Sequence, residues 1–130
     1  MKRDEFLKHV QSVAQLNSRE EAERAISATL ETLAERIVGD EAKDLASQLP
    51  QEIGQYLRGR EGQNGDHFSL KEFYERVSEK EGVEPTIAAT HARAVFTVLN
   101  AAVTPGEFAD VRANLSEDYA DLFAASGETR

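Results

Sequence analysis

The feature that most constrains this chain is a helical spacing of apolar residues that continues from one end to the other. Apolar residues recur three and four positions apart, which places them along one face of an amphipathic helix. The two longest apolar stripes run over 22–37 and 88–103. No segment alternates apolar and polar residues over a useful length, so no strand is predicted. The spacing predicts an all-α fold with about eight helices.

Helix boundaries are marked by capping boxes, in which a Ser or Thr is followed three residues later by Glu. Such a pair provides hydrogen-bond partners for the free backbone N–H groups of a first turn. The pairs are Ser18 with Glu21, Ser69 with Glu72, and Thr104 with Glu107. Pro85 suits the first turn of a helix and Gly39 suits the position just after one. The sequence therefore predicts two long helices, over 19–38 and 86–103.

The predicted helices follow the order medium, long, short, short, and this order occurs twice. Offsets of 66 and 67 residues align cap and core positions of the two copies. At the offset of 66, Glu41, Asp44 and Leu49 fall on Glu107, Asp110 and Leu115. We expect two tandem, pseudo-symmetric four-helix repeats, over 3–58 and 68–125, packed as one compact bundle. They would form a single domain (1–130), joined by a flexible glycine-rich linker over 59–67.

Several segments resemble one prokaryotic family, called domain of unknown function 2267. The resemblance is carried by Asp-Glu-Phe-Leu at 4–7, Glu-Ala-Glu-Arg-Ala at 21–25, Leu-Glu-Thr-Leu-Ala-Glu-Arg-Ile at 30–37, Gly-Asp-Glu-Ala-Lys-Asp-Leu-Ala-Ser-Gln-Leu-Pro at 39–50, Phe-Ser-Leu-Lys-Glu-Phe at 68–73 and Glu-Arg-Val at 75–77. It covers nearly the whole chain. Relatives of this kind are frequent in salt-loving archaea and in bacteria. The resemblance strengthens the fold prediction and implies no activity, substrate, cofactor or catalytic residue.

The balance of charge bears on the classes of partner. Acidic residues outnumber Lys and Arg by 24 to 15, which gives a formal net charge of −9. Nucleic-acid binding depends on basic side chains that neutralise phosphates, so no nucleic-acid partner is expected. The same sign of charge disfavours an anionic membrane surface. The acidic, lysine-poor composition is typical of a salt-adapted surface and also of ordinary solubility, and both interpretations remain open.

The compartment is inferred from what the sequence lacks. There is no cysteine for a disulfide or a thiolate metal site. The first residues run directly into charge, so no signal peptide is expected. No apolar stretch approaches the roughly 20 residues that span a bilayer. We therefore expect a cytoplasmic protein.

No group of residues has the spacing of a known catalytic or metal-binding motif. His9, His67 and His91 are scattered, so a zinc site would require distant elements to converge, and no metal site is predicted. Glu5 and His9 are interpreted as a surface pair. Nucleophile elbows, phosphate-binding loops and metalloprotease helices are absent, so no catalytic residue or cofactor is predicted. Acidic pairs near helix starts are accounted for by the helix dipole.

The second long helix carries a second apolar strip beside its core stripe. Its members are Ile87, Ala94, Val98 and Ala102, with His91 at the flank, and the first repeat has Glu21, Ala28, Thr32 and Arg36 at the corresponding positions. A helix that is apolar on more than one face is either central to the fold or part of an interface. Two interpretations therefore remain open. The strip is buried in the centre of the fold, or it faces outward and contacts a protein partner or the second copy of a homodimer.

Because the polar residues form no recognisable set of catalytic groups, the sequence favours a non-catalytic, soluble helical module for protein interaction or regulation. The alternative is a small enzyme with an unrecognised carboxylate and arginine site between the two repeats. An enzyme requires a pocket that holds two or more ionisable groups with perturbed pKa values, which only a structure reveals.

Overall fold

Eight α-helices make up most of the protein in a computed structural model, which describes residues 1–124. They are α1 (Arg3–Val13), α2 (Arg19–Arg36), α3 (Gly39–Ser47), α4 (Gln51–Gly54), α5 (Leu70–Glu81), α6 (Pro85–Ala102), α7 (Pro105–Ala113) and α8 (Ala120–Ala124). A short 3₁₀ helix follows α4 (Gln55–Leu57) and another precedes α8 (Glu117–Tyr119). Within residues 1–124 there is no strand. The predicted all-α class and the predicted number of helices are confirmed.

The three predicted caps form as expected. The side-chain oxygen of Ser18 accepts from the N–H of Glu21 at 3.1 Å, that of Ser69 from Glu72 at 3.2 Å, and that of Thr104 from Glu107 at 3.2 Å. Each bond provides a partner for an N–H group that the helix itself leaves free. The starts of α2, α5 and α7 were therefore encoded locally.

The two long helices lie against each other, and α1 and α5 each pack against both of them. Ten of the 18 residues of α2 and nine of the 18 residues of α6 are buried. That is more than the single stripe of a surface helix, so the long helices form the centre of the fold. None of the helices in residues 1–124 is long and apolar enough to cross a lipid bilayer.

Aromatic side chains fix the last helices on this centre. The ring of Phe123 in α8 meets the ring of Phe96 in α6 edge to face, with centroids 5.5 Å apart. It meets the ring of Phe108 in α7 in the same way, at 5.4 Å. Edge-to-face pairs stabilise by about 0.5–1.5 kcal/mol beyond the burial of their area. The ring of Phe123 therefore joins α8 to both α6 and α7.

The helices of the two predicted repeats correspond in length and order. The first helices have 11 and 12 residues, the long helices have 18 each, and the third helices have nine each. A short helix and a 3₁₀ helix follow in both cases, in opposite order. The repeats over 3–58 and 68–125, of which the last residue lies outside the described range, and the duplication itself stay a prediction.

The segment 59–67 is not the free linker that its glycines suggested. Its backbone is tied to the end of α2 and the start of α3: Asp66 N–H donates to Glu35 O, and Gly39 N–H donates to Gln63 O, both at 2.8 Å. Gly65 has φ of +79° and lies so close that a Cβ atom would stand 2.5 Å from Ile37 O. Glycine is needed there because the backbones approach each other closely.

The prediction that Gly39 follows the first long helix as its C-terminal stop was wrong. The helix α2 ends at Arg36, because Ile37 is extended, and Gly39 begins α3. A Cβ atom on Gly39 would lie 1.7 Å from the carbonyl oxygen of Arg60. Glycine is therefore required at position 39 because the segment 59–67 passes directly over it. This contact joins residues that are distant in sequence, so no local pattern reveals it.

Candidate functional site

The helices α3 and α7 are joined at both ends by the same type of hydrogen bond. Val38, the residue before α3, donates its N–H to the side chain of Asn114, which caps the C-terminus of α7, at 3.3 Å. Thr104, the residue before α7, donates its N–H to the side chain of Gln48, which caps the C-terminus of α3, at 2.8 Å. The start of each helix therefore lies beside the end of the other, so the two run antiparallel.

These two bonds are related by the offset of 66 residues that aligns the predicted repeats. Val38 corresponds to Thr104 and Gln48 corresponds to Asn114. Two equivalent helices that bond reciprocally in this way are typical of a contact around a two-fold axis. We refer to this region as the α3–α7 contact.

Three carboxylates converge at the α3–α7 contact. Glu41 stands in the first turn of α3, Glu107 in the first turn of α7, and Asp110 one turn later in α7. One oxygen of each carboxylate lies within 4.8 Å of one oxygen of each of the others. Glu107 is only 9 % exposed, Glu41 is half-buried and Asp110 is exposed. These three residues are called the carboxylate cluster below.

The electrostatics of the cluster are unfavourable for three negative charges. Burial, a side-chain hydrogen bond with Glu41 and the negative charges of Glu41, Asp110 and Asp44 together raise the pKa of Glu107 to about 8. No lysine, arginine or histidine within residues 1–124 forms an ion pair with a member of the cluster. The charge of these side chains is therefore not neutralised by the described part of the protein.

Two oxygens of the cluster also lack a hydrogen-bond donor. Glu41 Oε2 and Glu107 Oε2 are both buried and have no partner among the described residues. An ionised carboxylate only accepts hydrogen bonds, so two such oxygens cannot satisfy each other. The arrangement can hold a proton between the two groups, a cation, or a basic group from another molecule.

The clefts described in the structure lie elsewhere. One of about 360 Å³ is lined by residues between Arg112 and Phe123. Another, of about 630 Å³, is lined by residues 1–5 together with Pro50 and Glu52. Neither cleft is lined by a member of the carboxylate cluster. Glu107, whose pKa is strongly raised, therefore lies outside both of these clefts.

A family model described as uncharacterized conserved protein (DUF2267) matches residues 3–122. The chain belongs to this family. A search of curated proteins found no match to the chain. In this member of the family, the matched range includes both helices of the α3–α7 contact and the whole carboxylate cluster.

The predicted partner face lies mostly inside the protein. His91, Ala94 and Val98 are 8 %, 3 % and 3 % exposed, and Ala102 is half-buried. Ile87, at the start of α6, is 46 % exposed. Of the two interpretations left open, these burial values favour central packing for all but the first residue of the strip.

The three histidines stand apart, as their spacing suggested. His91 forms a short hydrogen bond through Nδ1 to Glu81 Oε2, and both residues are buried at the contact of α5 with α6. His9 and His67 are exposed. Glu5 accepts a hydrogen bond from the N–H of Lys2 at the helix start, which is a capping role.

Sequence reasoning did not identify the carboxylate cluster as a site, although a signal for it was present. The alignment of the repeats placed Glu41 on Glu107 and Asp44 on Asp110. Equivalent residues of two related units approach each other when the units pack around a two-fold axis. Residues of like charge at equivalent positions of two repeats therefore mark a candidate binding site, provided that the two helices that carry them are known to pack against each other.

Proposed function

We propose that the protein is a non-catalytic regulatory module that acts through binding, with the carboxylate cluster as its binding centre. The observation that carries this proposal is the buried carboxyl group of Glu107 beside that of Glu41, each with one buried oxygen that no donor of another described residue satisfies. Leaving a buried polar atom unsatisfied costs about 1–3 kcal/mol, and more for a charged one. Sequences retain such local conflicts mainly at functional sites.

The composition of the cluster supports binding over catalysis. It contains carboxylates alone, without an arginine or lysine to orient a substrate. Among residues 1–124 one arginine is strongly buried, Arg36, and it donates to the backbone carbonyls of Phe68 and Asn114 and to the Ser116 hydroxyl. The alternative of an enzyme with a carboxylate and arginine site between the repeats is thus less well supported, because that arginine has a structural use.

The remaining parts of the proposal concern organisation and setting. We propose two tandem repeats within one domain over 1–130, and a cytoplasmic location for an acidic chain without cysteine. The partner is another protein or a second copy of the chain. If it contacts α6, the exposed side chain of Ile87 is the member of the predicted face that supports such a contact.

The test compares the double variant Glu41→Gln/Glu107→Gln with wild type by in-cell proximity labelling and by light scattering. A matched control, Glu52→Gln/Glu117→Gln, makes the same two Glu-to-Gln substitutions at exposed positions outside the cluster. We expect the double variant to fold and to change its set of neighbours or its oligomeric state, and the control to behave as wild type. Identical results for all three proteins would contradict the proposal.

The enzyme alternative makes a different prediction for the same strains. If the cluster is catalytic, a metabolite should accumulate in cells that carry Glu41→Gln/Glu107→Gln, while the set of neighbouring proteins stays the same. Untargeted metabolite profiling against the control variant measures this directly.

A further inference from the structure

We propose that the carboxylate cluster is a binding site for one hard divalent cation, of the class of Ca²⁺, Mn²⁺ or Mg²⁺. Glu41, Glu107 and Asp110 would supply the ligands, and the ion would bridge α3 and α7. This inference rests on the proposed function in taking the cluster as the binding centre, and it deepens that function by naming the ligand.

The spacing of the oxygens fits a small cation. Three atoms that are no more than 4.8 Å apart all lie within about 2.8 Å of a common point. Bonds from oxygen to Ca²⁺ are about 2.3–2.6 Å long and those to Mg²⁺ about 2.0–2.1 Å. Closing the remaining distance requires a shift of a few tenths of an ångström for the larger ion. Long Glu side chains make such a shift by small rotations, without movement of the helices.

A second observation, independent of the clustering, also indicates a ligand. Glu107 is 9 % exposed, one of its carboxylate oxygens lies within 4.8 Å of an oxygen of Glu41 and of Asp110, and its Oε2 is buried with no hydrogen-bond partner among the described residues. Glu41 Oε2 is in the same condition. Surface acidic residues keep their hydration and need no partner, whereas these two buried oxygens have lost water, and within the described residues only a proton shared by Glu41 and Glu107 can compensate them. A cation between them would satisfy both at once.

The donor set selects the type of ion. All three ligands are carboxylate oxygens, and hard cations such as Ca²⁺, Mg²⁺ and Mn²⁺ prefer oxygen ligands. The cluster contains no histidine, and the chain has no cysteine, so it lacks the ligands that softer ions prefer. Asp110 is exposed, which leaves one side of the site open to water ligands. The nearby charge of Asp44 adds attraction without a direct bond.

The position of the site gives the ion a structural consequence. Glu41 belongs to α3, whereas Glu107 and Asp110 belong to α7. The contact between these helices is closed at both ends by the hydrogen bonds of Val38 and Thr104. The cluster lies between them and brings like charges together. A bound cation would convert that repulsion into a cross-link.

The experiment measures binding to the whole protein after treatment with a chelator and its removal. Electron paramagnetic resonance detects free Mn²⁺ directly, and isothermal titration calorimetry with Ca²⁺ or Mg²⁺ measures affinity and stoichiometry. We expect one ion per chain with a Kd below about 1 mM for at least one of the three ions, corresponding to a free energy of about −4.1 kcal/mol or better.

Variants then locate the ion. Glu107→Gln and Asp110→Asn should each weaken binding about tenfold or more, since even outer-sphere changes cost 10–100-fold at metal sites. Glu52→Gln makes the same type of substitution at an exposed position outside the cluster and should leave the Kd unchanged within about twofold. Asp110 is exposed, so its amide variant tests the site in a protein whose folding is not at issue.

Two results would overturn the inference. One is the absence of binding by all three ions at millimolar concentration. The other is binding that Glu107→Gln and Asp110→Asn leave unchanged, which would locate the ion elsewhere. If no ion binds while Glu41→Gln/Glu107→Gln still alters the set of neighbours, the inference fails and the proposed function stands, with a basic group of a partner in the cluster. Ion binding at the cluster without any change in neighbours would support the inference and contradict the proposed function.

Discussion

The two long helices bury equivalent strips of residues with opposite chemistry. On α6 the strip is apolar and includes Val98, whereas the corresponding positions on α2 carry Thr32 and Arg36. All three are buried, at 3 %, 0 % and 4 % exposed. The first half thus encloses polar groups where the second half encloses methyl groups.

The difference follows from how the chain connects the halves. The segment 59–67 passes over the end of α2, and Arg36 donates to Phe68 O at 2.9 Å and to Ser116 Oγ at 3.2 Å. The chain has one such connection, and it follows the first half. The position equivalent to Arg36 in α6 is Ala102, which is half-buried and whose methyl side chain can form no hydrogen bond.

This comparison removes the main support for a partner face along α6. The asymmetry between the strips suggested an interface, on the assumption that internal packing would draw equally on both helices. The structure supplies an internal reason instead, because Arg36 bonds to Phe68 at the end of the connection and to Asn114 and Ser116 just after α7. An asymmetry between repeats therefore indicates a partner only after the connection between them is accounted for.

The largest expected effect comes from placing a charge in the α6 strip. Val98→Asp would bury an unpaired carboxylate, so we expect a loss of more than about 4 kcal/mol in the free energy of unfolding and extensive unfolding at 25 °C. Ile87→Asp, at the exposed end of the same strip, should change it by less than about 0.5 kcal/mol. Urea titration followed by circular dichroism measures both. A folded, stable Val98→Asp protein would restore the partner face as an explanation.

How much of this could be read from the sequence depends on the range of each interaction. The caps at Ser18, Ser69 and Thr104 involve residues three apart, and they were predicted correctly. The role of Gly39 depends on Arg60, and that of Arg36 depends on Phe68 and Asn114, so neither could be derived from a local pattern. The carboxylate cluster requires knowledge that α3 packs against α7, which periodicity does not contain.

A second prediction concerns whether the hydrogen bonds of Arg36 account for the polar character of the buried strip on α2. Arg36→Met keeps most of the side-chain volume and removes its hydrogen bonds, including the bond to Asn114 O, so we expect a loss of about 2–4 kcal/mol in the free energy of unfolding. Phe68 O keeps one donor, the hydroxyl of Tyr119 at 2.8 Å, which limits the loss.

The matched control for Arg36→Met is Arg93→Met on α6. Arg93 forms a more exposed ion pair with Asp121 at 2.9 Å, and such pairs contribute about 0–1 kcal/mol. Equal losses for the two variants would mean that the connection between the halves does not explain the polar strip.

The third prediction extends the comparison to Glu41 and Glu107, which are equivalent in the two halves but differ in burial. Because the pKa of Glu107 is raised from its ordinary value to about 8, the folded protein retains this proton at a higher pH than the unfolded chain does. The stabilising contribution of the protonated group is complete below about pH 4.5 and disappears as the pH rises through 8.

In a chelating buffer, Glu107→Gln should therefore raise the free energy of unfolding relative to wild type by about 2–4 kcal/mol at pH 9. At pH 6 the difference should be much smaller. The neutral amide also offers a donor to Glu41 Oε2, which lacks one. Chemical denaturation at the two pH values measures this, with Glu52→Gln as the control. A difference that does not depend on pH would show that protonation of Glu107 is not its source.

The smallest expected effect comes from exchanging the chemistry of the two strips at one position. Thr32 donates its hydroxyl to Ala28 O at 2.8 Å and accepts from Lys80 Nζ at 3.1 Å. In Thr32→Val the lysine keeps its ion pair with Glu35 at 3.0 Å, so we expect a loss of only about 1 kcal/mol in the free energy of unfolding.

Val98→Thr should cost a similar amount, because the new hydroxyl has the carbonyl of Ala94 one helical turn away as an acceptor. The two sites lie on different helices, so the double variant should show the sum of the two losses within about 0.5 kcal/mol. A double variant that is more stable than either single variant would mean that the strips pack against each other as a pair, and that connectivity alone does not account for their difference.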